Sequence, residues 1–487
     1  MRKTLLIICT LLISFAGAMA QEVKVQEVKT EDVKKWTLQE CVNVALENNL
    51  RVKRSLYGVQ SSESFLLQSK AAFLPTVNAG GSYGENYGRA LNPVTNLFVN
   101  RNSNAINVQG TASLLLFNGL RLQNSFRQSQ RDVAASNADL NKAKNDVILN
   151  VVTYYINVIF NQELFENAKY QLRSSEQQLE RIKKQVAAGA LSISNQLNQE
   201  AQVATNEVNA INQENALNLS LLQLKQSLQL PASTPMQVEV PDLQAEDLVL
   251  SQTAEEIYQI SLSTMPEIKS AILKVQSAEF ALKSNKGSYY PRLSLNASAQ
   301  SNYSSVSDGP RSQADGTFSN TPIGFVSSTG ELVYTQTPNT VQVSNSYGRI
   351  DQLKDNLFKN VNLQVNIPIL NGFQTRMAVQ RAAINKELAS ITVTETENTL
   401  RQSIETAYND ATAAAKTYTS STKQVNAQQE AYRMNKQRFE LGGLSFVEYQ
   451  VSENDLFRAK SDLTRAKYNF IFKKKVLDFY QGKQIEL

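Results

Sequence analysis

The sequence predicts an internally duplicated chain of mixed class, with four membrane β-barrel strands per chain and long α-helical coiled-coil hairpins. Three observations lead there. Landmarks recur at a fixed offset of 253, so that Phe117-Asn118-Gly119 falls on Leu370-Asn371-Gly372 and Ala188-Gly189-Ala190-Leu191-Ser192 on Leu441-Gly442-Gly443-Leu444-Ser445. Between and beyond those landmarks an apolar seam steps by seven residues. Just before each Asn-Gly the period drops to two.

Met1 to Ala20 reads as a secretory signal peptide: Arg2 and Lys3, an apolar run from Leu5 to Phe15, then Ala18-Met19-Ala20 as a small-x-small cleavage site. The mature chain is therefore expected to be exported. No other stretch has the length of apolar sequence that a spanning helix needs, so entry into a membrane has to use β-strands. Residues 21–35 are charged, lack aromatics, and read as a flexible lead-in. Residues 36–250 form repeat 1 and residues 251–487 repeat 2.

Each repeat opens with a pair of shorter helical segments, Trp36 to about Lys70 and Thr253 to about Lys286, related by an offset of 216 and broken near Asn48-Asn49 and Met265-Pro266. Strands follow. Pro75 begins one at about 76–88 (Val77, Ala79, Gly81, Tyr83 on one face), and Pro291 its counterpart at about 291–303 (Leu293, Leu295, Ala297, Ala299). The second strand of each pair runs at about 105–117, with Ile106, Val108, Ala112, Leu114 and Leu116 alternating with polar residues, and at about 355–369, with Leu357, Val361, Leu363, Val365, Ile367 and Ile369. A period of two gives one apolar and one polar face, lipid side and lumen side in a membrane barrel. A soluble half-buried sheet gives the same alternation, but four such strands behind a secretion signal favour the barrel.

The long helical hairpins are expected at 120–230 and 373–480. Their seams run through Val151, Val158, Phe165, Leu172, Leu179 and Val186, and through Ile404, Ala411, Tyr418, Val425, Tyr432 and Phe439. A strict heptad implies helices wound with a left-handed twist. No proline lies between Pro93 and Pro231 or after Pro368, and glycine is confined to the strands and their exits, the tips and Gly482. Pro231, Pro235 and Pro241 mark residues 231–250 as an extended link. The two offsets differ by a 37-residue insertion within about Tyr303 to Asp355, rich in Ser, Thr, Asn, Gly and Pro; it reads as a solvated extracellular loop at about 304–354. Long loops lie outside in such barrels, so the hairpins point into the periplasm.

Four strands cannot close, and an open edge in hydrocarbon leaves backbone groups unpaired at several kcal/mol each. The chain must oligomerise. Two copies give eight strands with a filled interior; a trimer gives twelve and room for a lumen.

Composition excludes much chemistry. There is no histidine, so imidazole-dependent catalysis and the usual zinc sites are out. Carboxylates such as Glu176, Glu180, Glu395 and Glu397 are scattered along helix faces, and Gly482-Lys483 lacks the spacing of a phosphate loop. Only Cys41 survives signal removal, on an apolar helical stripe, so no intrachain disulfide forms. The formal charge of +5 falls to +3 with the loss of Arg2 and Lys3, which gives no case for nucleic acid. Neither an enzyme nor a cofactor is expected.

The order and doubling of these features, with the Pro75 and Pro291 strand starts, the Asn118-Gly119 and Asn371-Gly372 exits and the paired glycine tips, resembles the TolC-type outer-membrane efflux proteins from about Trp36 to Leu487. The resemblance implies a homotrimer with a twelve-stranded barrel in outer-membrane lipid, continuous with a periplasmic helical tunnel. It also implies tips that meet a periplasmic adaptor protein and, through it, an inner-membrane pump that supplies the energy. The adaptor-docking tips would be Ala188, Gly189, Ala190, Leu191 and Ser192, with Leu441, Gly442, Gly443, Leu444 and Ser445. Where well-studied members carry the arginine of a gating network this chain has Leu444; the nearby carboxylates, Glu448 and Glu453, are the gate candidates, Glu448 as a ring of three. The alternative is a membrane-anchored structural or adhesive coiled coil that conducts nothing. Against it stand the return of the helices to the membrane in each repeat and the Asn, Gln, Ser and Thr on the polar strand faces.

Overall fold

The computed structural model describes residues 34–91, 97–100, 102–240, 252–344 and 346–483. The signal peptide, nearly all of the lead-in and residues 241–251 lie outside them. In chain order the elements are β1 (Lys35–Trp36), α1 (Leu38–Asn48), α2 (Leu50–Ala71), β2 (Thr76–Asn86), β3 (Arg89–Leu91), β4 (Phe98–Asn100) and β5 (Ser103–Phe117). Then come α3 (Arg121–Ala187), α4 (Ile193–Ser227), β6 (Gln237–Val238), α5 (Ala254–Thr264), α6 (Pro266–Lys286) and β7 (Arg292–Ser304). The chain continues with β8 (Arg311–Phe325), β9 (Leu332–Ser344), α7 (Arg349–Asp355), β10 (Phe358–Asn366), α8 (Gln374–Glu440) and α9 (Phe446–Tyr480).

Helices α3 and α8 are each 67 residues long and α4 and α9 each 35. A 67-residue helix spans about 100 Å. Both long helices start from a strained turn: Gly119 and Leu120 have φ 69° and 63°, and Gly372 and Phe373 have φ 60° and 62°. Helices α1 and α5 begin on capping boxes, Thr37 with Glu40 and Thr253 with Glu256. Cores repeat position by position. Val151, Val158 and Leu224 are buried with Cys41 around α1 and α3, and their counterparts Ile404, Ala411 and Leu477 with Ile257 around α5 and α8.

The main sheet has the order β10-β7-β5-β2, all antiparallel. Its faces stay in register across all four strands. Val77, Ala112, Ala297 and Val361 form one row, and Asn78, Thr111, Ser298 and Asn360 the next. On the polar face Ser113 donates to Asn296 Oδ1 at 2.9 Å, and Asn296 donates to Asn362 and Gln364 at 3.3 Å. The helices nearest the sheet pack as α2 on α3, α3 on α6 and α6 on α8, the same lateral order as their strands. The seam between α3 and α6 is polar at heptad spacing, with Ser270 donating to Asp139, Ser277 to Asp132, and Ser284 bonded to Ser125.

Within the loop expected at about 304–354 the chain forms the antiparallel hairpin β8–β9 and most of the short helix α7. Three register irregularities and the prolines Pro322 and Pro338 break the two-residue alternation that would have revealed the strands. Gln352 on α7 is buried, its side chain bonded to Ser304 N, Asp308 Oδ1 and Tyr347 O, which fixes the helix against β7. The expected strand at 355–369 is confined to Phe358–Asn366.

Candidate docking tips and gate

Both tips close with the same hydrogen-bonded turn. Gly189 N–H donates to Val186 O and Ala190 N–H to Gln185 O; Gly442 N–H donates to Phe439 O and Gly443 N–H to Arg438 O, at 2.8 to 3.0 Å. This six-to-one pattern ends a helix on a left-handed residue, and Gly189 and Gly442 fill that role with φ 71° and 76°. Gly443 does not. Its φ is not positive, and a Cβ there would meet Arg438 O at an ordinary 3.6 Å, as Ala190 in the equivalent place illustrates.

Ala188, Gly189, Ala190, Ser192, Leu441, Gly442, Gly443 and Ser445 are exposed. Leu441 projects with 87 % of its surface free. Leu191 and Leu444 are partly buried, packed with Val186, Tyr432 and Phe439 against Ile182, Phe446 and Tyr449. They brace the tip from inside while keeping part of each side chain at the surface. The Phe439 and Tyr449 rings stack at 4.9 Å, and the hydroxyls of Tyr432 and Tyr449 lie 3.1 Å apart. This aromatic bundle belongs to the second hairpin alone: the same positions in the first are Leu179, Val186, Ile193 and Gln196. Ile193 is exposed where Phe446 is buried. Ser445 caps α9 reciprocally with Glu448, whereas Ser192 makes no side-chain capping bond.

The two gate candidates separate. Glu448 is exposed and turned back on its own helix, its Oε2 accepting from Ser445 N–H at 3.1 Å and from the Ser445 hydroxyl at 2.8 Å. Those bonds hold its carboxyl below the ordinary value. Glu453 is buried where α9 meets α3 and α8. Ser174 Oγ on α3 donates to its Oε1 at 3.3 Å, and burial pushes its carboxyl up against the opposing pull of Lys436 and Tyr432 on α8 and Arg181 on α3. Its side chain is therefore enclosed by helices of its own chain. Ser174, Arg181, Tyr432 and Lys436 went unrecognised in the sequence, although Tyr432 sits on the heptad seam.

Undocking α9 would expose Glu453 to water and let it ionise freely. The docked arrangement is thus stabilised fully below the ordinary carboxyl value of 4.5, and that stabilisation is lost as pH rises from there through the raised value. Hydrogen-exchange protection factors of residues 446–457 are expected to fall with rising pH, by up to about tenfold per unit within that window. In Glu453→Gln they should hold at the low-pH level throughout.

Among the described residues no group of acidic or sulfur ligands could hold a metal ion, and no helix is long and apolar enough to cross a membrane. The profile of the outer membrane efflux protein family matches residues 41–228 and 336–477, more than half of the chain. The chain belongs to the outer membrane efflux protein family. It is similar to outer membrane efflux protein BepC of Brucella suis biovar 1 (strain 1330), at 22 % identity over 444 residues, covering 89 % of this chain and 83 % of the relative. Its fold is similar to that of the outer membrane protein VceC from Vibrio cholerae (TM-score 0.71, 13 % identity, 92 % and 97 % of the two chains). The Campylobacter jejuni CmeC outer membrane channel is also similar (TM-score 0.68, 17 % identity, 92 % and 87 %). As a member of this efflux family the chain is an outer-membrane channel protein and not an enzyme, with its helical part in the periplasm.

Proposed function

We propose that three chains close a twelve-stranded barrel and a helical tunnel beneath it, forming a passive duct from periplasm to exterior in a tripartite efflux or type I secretion system. The observation that carries this reading is the four-stranded sheet with in-register faces and both edges, β2 and β10, unpaired among the described strands. An edge cannot stay open in hydrocarbon, and the polar face suits a wet lumen. The near-identical lengths and turns of the two halves support an internal duplication, which supplies two hairpins per chain and six per ring. The exposed parts of the tips, Ala188-Gly189-Ala190 and Leu441-Gly442-Gly443, would meet the periplasmic adaptor; the pump beyond it supplies the energy.

Single-channel current from the purified protein in a planar bilayer is the test. Discrete, salt-dependent steps are expected. Silence from an assembled trimer, persisting after the Gly442 tip is loosened, would favour a non-conducting structural role.

A further inference from the structure

The strands of the main sheet carry three charged residues, Glu85 on β2, Arg292 on β7 and Lys359 on β10. The register sorts them by face. Lys359 pairs with Ala299 and Glu85 with Asn104, in step with Val77, Ala112, Ala297 and Val361 on the apolar face. Arg292 pairs with Asn366 and shares the opposite, polar face with Ser294, Asn296 and Ser298. It is the one charged residue that those four strands place on that face. Its side chain is exposed, and its neighbours there, Asn366, Ser294 and Gln364, are neutral. Repeat 1 has no equivalent, because the offset of 216 leads back from Arg292 to Thr76.

Arg292 stands at the periplasmic end of the sheet, where strands hand over to helices. The rest of that junction has the same sign. The first turns of α3 and α8 hold Arg121 and Arg376 and no acidic residue, although the start of a helix favours anions and opposes cations. The last turns of α2 and α6 hold Lys70, Lys283 and Lys286, of which Lys283 is paired with Glu279 at 2.7 Å. Helix stability alone gives no reason for arginines at the starts of α3 and α8.

We infer that three Arg292 side chains ring the periplasmic end of the barrel lumen and make it favour anionic solutes, those bearing carboxylate, sulfonate or phosphate groups, over cationic ones. This preference rests on the trimeric duct proposed above and adds a charge filter to it. Its sign is opposite to that of the Glu448 ring expected at the tip. Twelve strands about 4.8 Å apart and tilted by about 40° close a wall about 24 Å across, so the axis lies about 12 Å from the backbone. At about 1.5 Å per bond an extended arginine side chain covers about half of that distance. A solute on the axis then passes within the Debye length, about 8 Å at physiological salt, of all three guanidiniums at once. Arginine stays charged throughout, and rings of it are one way in which pores select anions.

Reversal potentials of the full-length protein in a planar bilayer under a KCl gradient test the ring. The chloride-over-potassium permeability ratio is expected to fall by about threefold or more in Arg292→Gln at wild-type native mass, and further in Arg292→Glu. Arg292→Lys should keep it. Block by tripolyphosphate added from the periplasmic side should weaken by about tenfold or more in Arg292→Gln, and the difference from wild type should shrink as salt rises. Thr76→Arg adds a charge to the same face at the equivalent place in repeat 1 and should raise the ratio, which keeps the ring testable should the Arg292 variants fail to assemble. Discrete current steps whose permeability ratio and block stay unchanged in Arg292→Glu and in Thr76→Arg would overturn the ring and leave the duct standing. Silence from every assembled protein, wild type included, would remove the duct and the ring with it.

Discussion

Replacing Gly119 by alanine is expected to cost about 2–5 kcal/mol and to remove most assembled protein from the outer-membrane fraction. Two penalties add. The residue sits at φ 69°, where an L side chain is strained, and its Cβ would lie 2.2 Å from Gly287 O and 2.8 Å from Tyr290 Cβ. Neither partner is the yielding end of a long side chain. The two turns touch backbone to backbone where the sheet hands over to the helices, so the clash cannot be relieved without separating them. Gly372, the equivalent residue, has φ 60° and no atom within 4 Å of its Cβ in the single chain. Gly372→Ala should therefore cost only the local strain, about 1–2 kcal/mol, before neighbouring chains meet. Yield in the outer-membrane fraction and native mass distinguish the two; equal, mild effects at both sites would show that the Gly119 contact does not hold the junction.

Gly442→Leu is expected to abolish export while leaving the assembly intact. Its Cβ would enter open space, so no internal packing is lost and the fold bears only the strain of a left-handed leucine, about 1–2 kcal/mol. What changes is the surface offered to a partner, beside the exposed Leu441. Complementation of a deletion strain, scored by survival against a panel of toxic compounds, should fall to the level of the empty vector at normal trimer yield. Export unchanged from wild type would remove the tip from the docking surface. Gly443→Ala, by contrast, should be silent, since Ala190 already occupies the equivalent position.

Much of this fold was legible because its periods are long. A heptad running from Val151 to Val186 leaves few alternatives, and the strand faces at Val77 to Tyr83 and Leu293 to Ala299 alternate without interruption. The β8–β9 hairpin was not legible, since its irregular pairing and internal prolines erase the signal on which strand recognition depends. Glu453 escaped for another reason. Around Glu453 helix α9 packs against both α3 and α8, so its buried stripe is wider than one heptad seam and takes in a carboxylate that reads as solvated. Leu191 and Leu444 look like a free tip in one dimension; only the fold brings Ile182 and Tyr449 beneath them.

The inequality of the two tips bears on how such a ring can move. Six identical hairpins would be mechanically equivalent, and any dilation would have to recruit all of them at once. In the proposed ring every second hairpin would carry an aromatic bundle and a reciprocal cap, while its neighbours would end on Ile193 and Gln196 with an uncapped serine. A ring of alternating stiff and compliant members can widen by bending three while the other three keep their shape, so its aperture would change in threefold steps with half of the inner wall held constant.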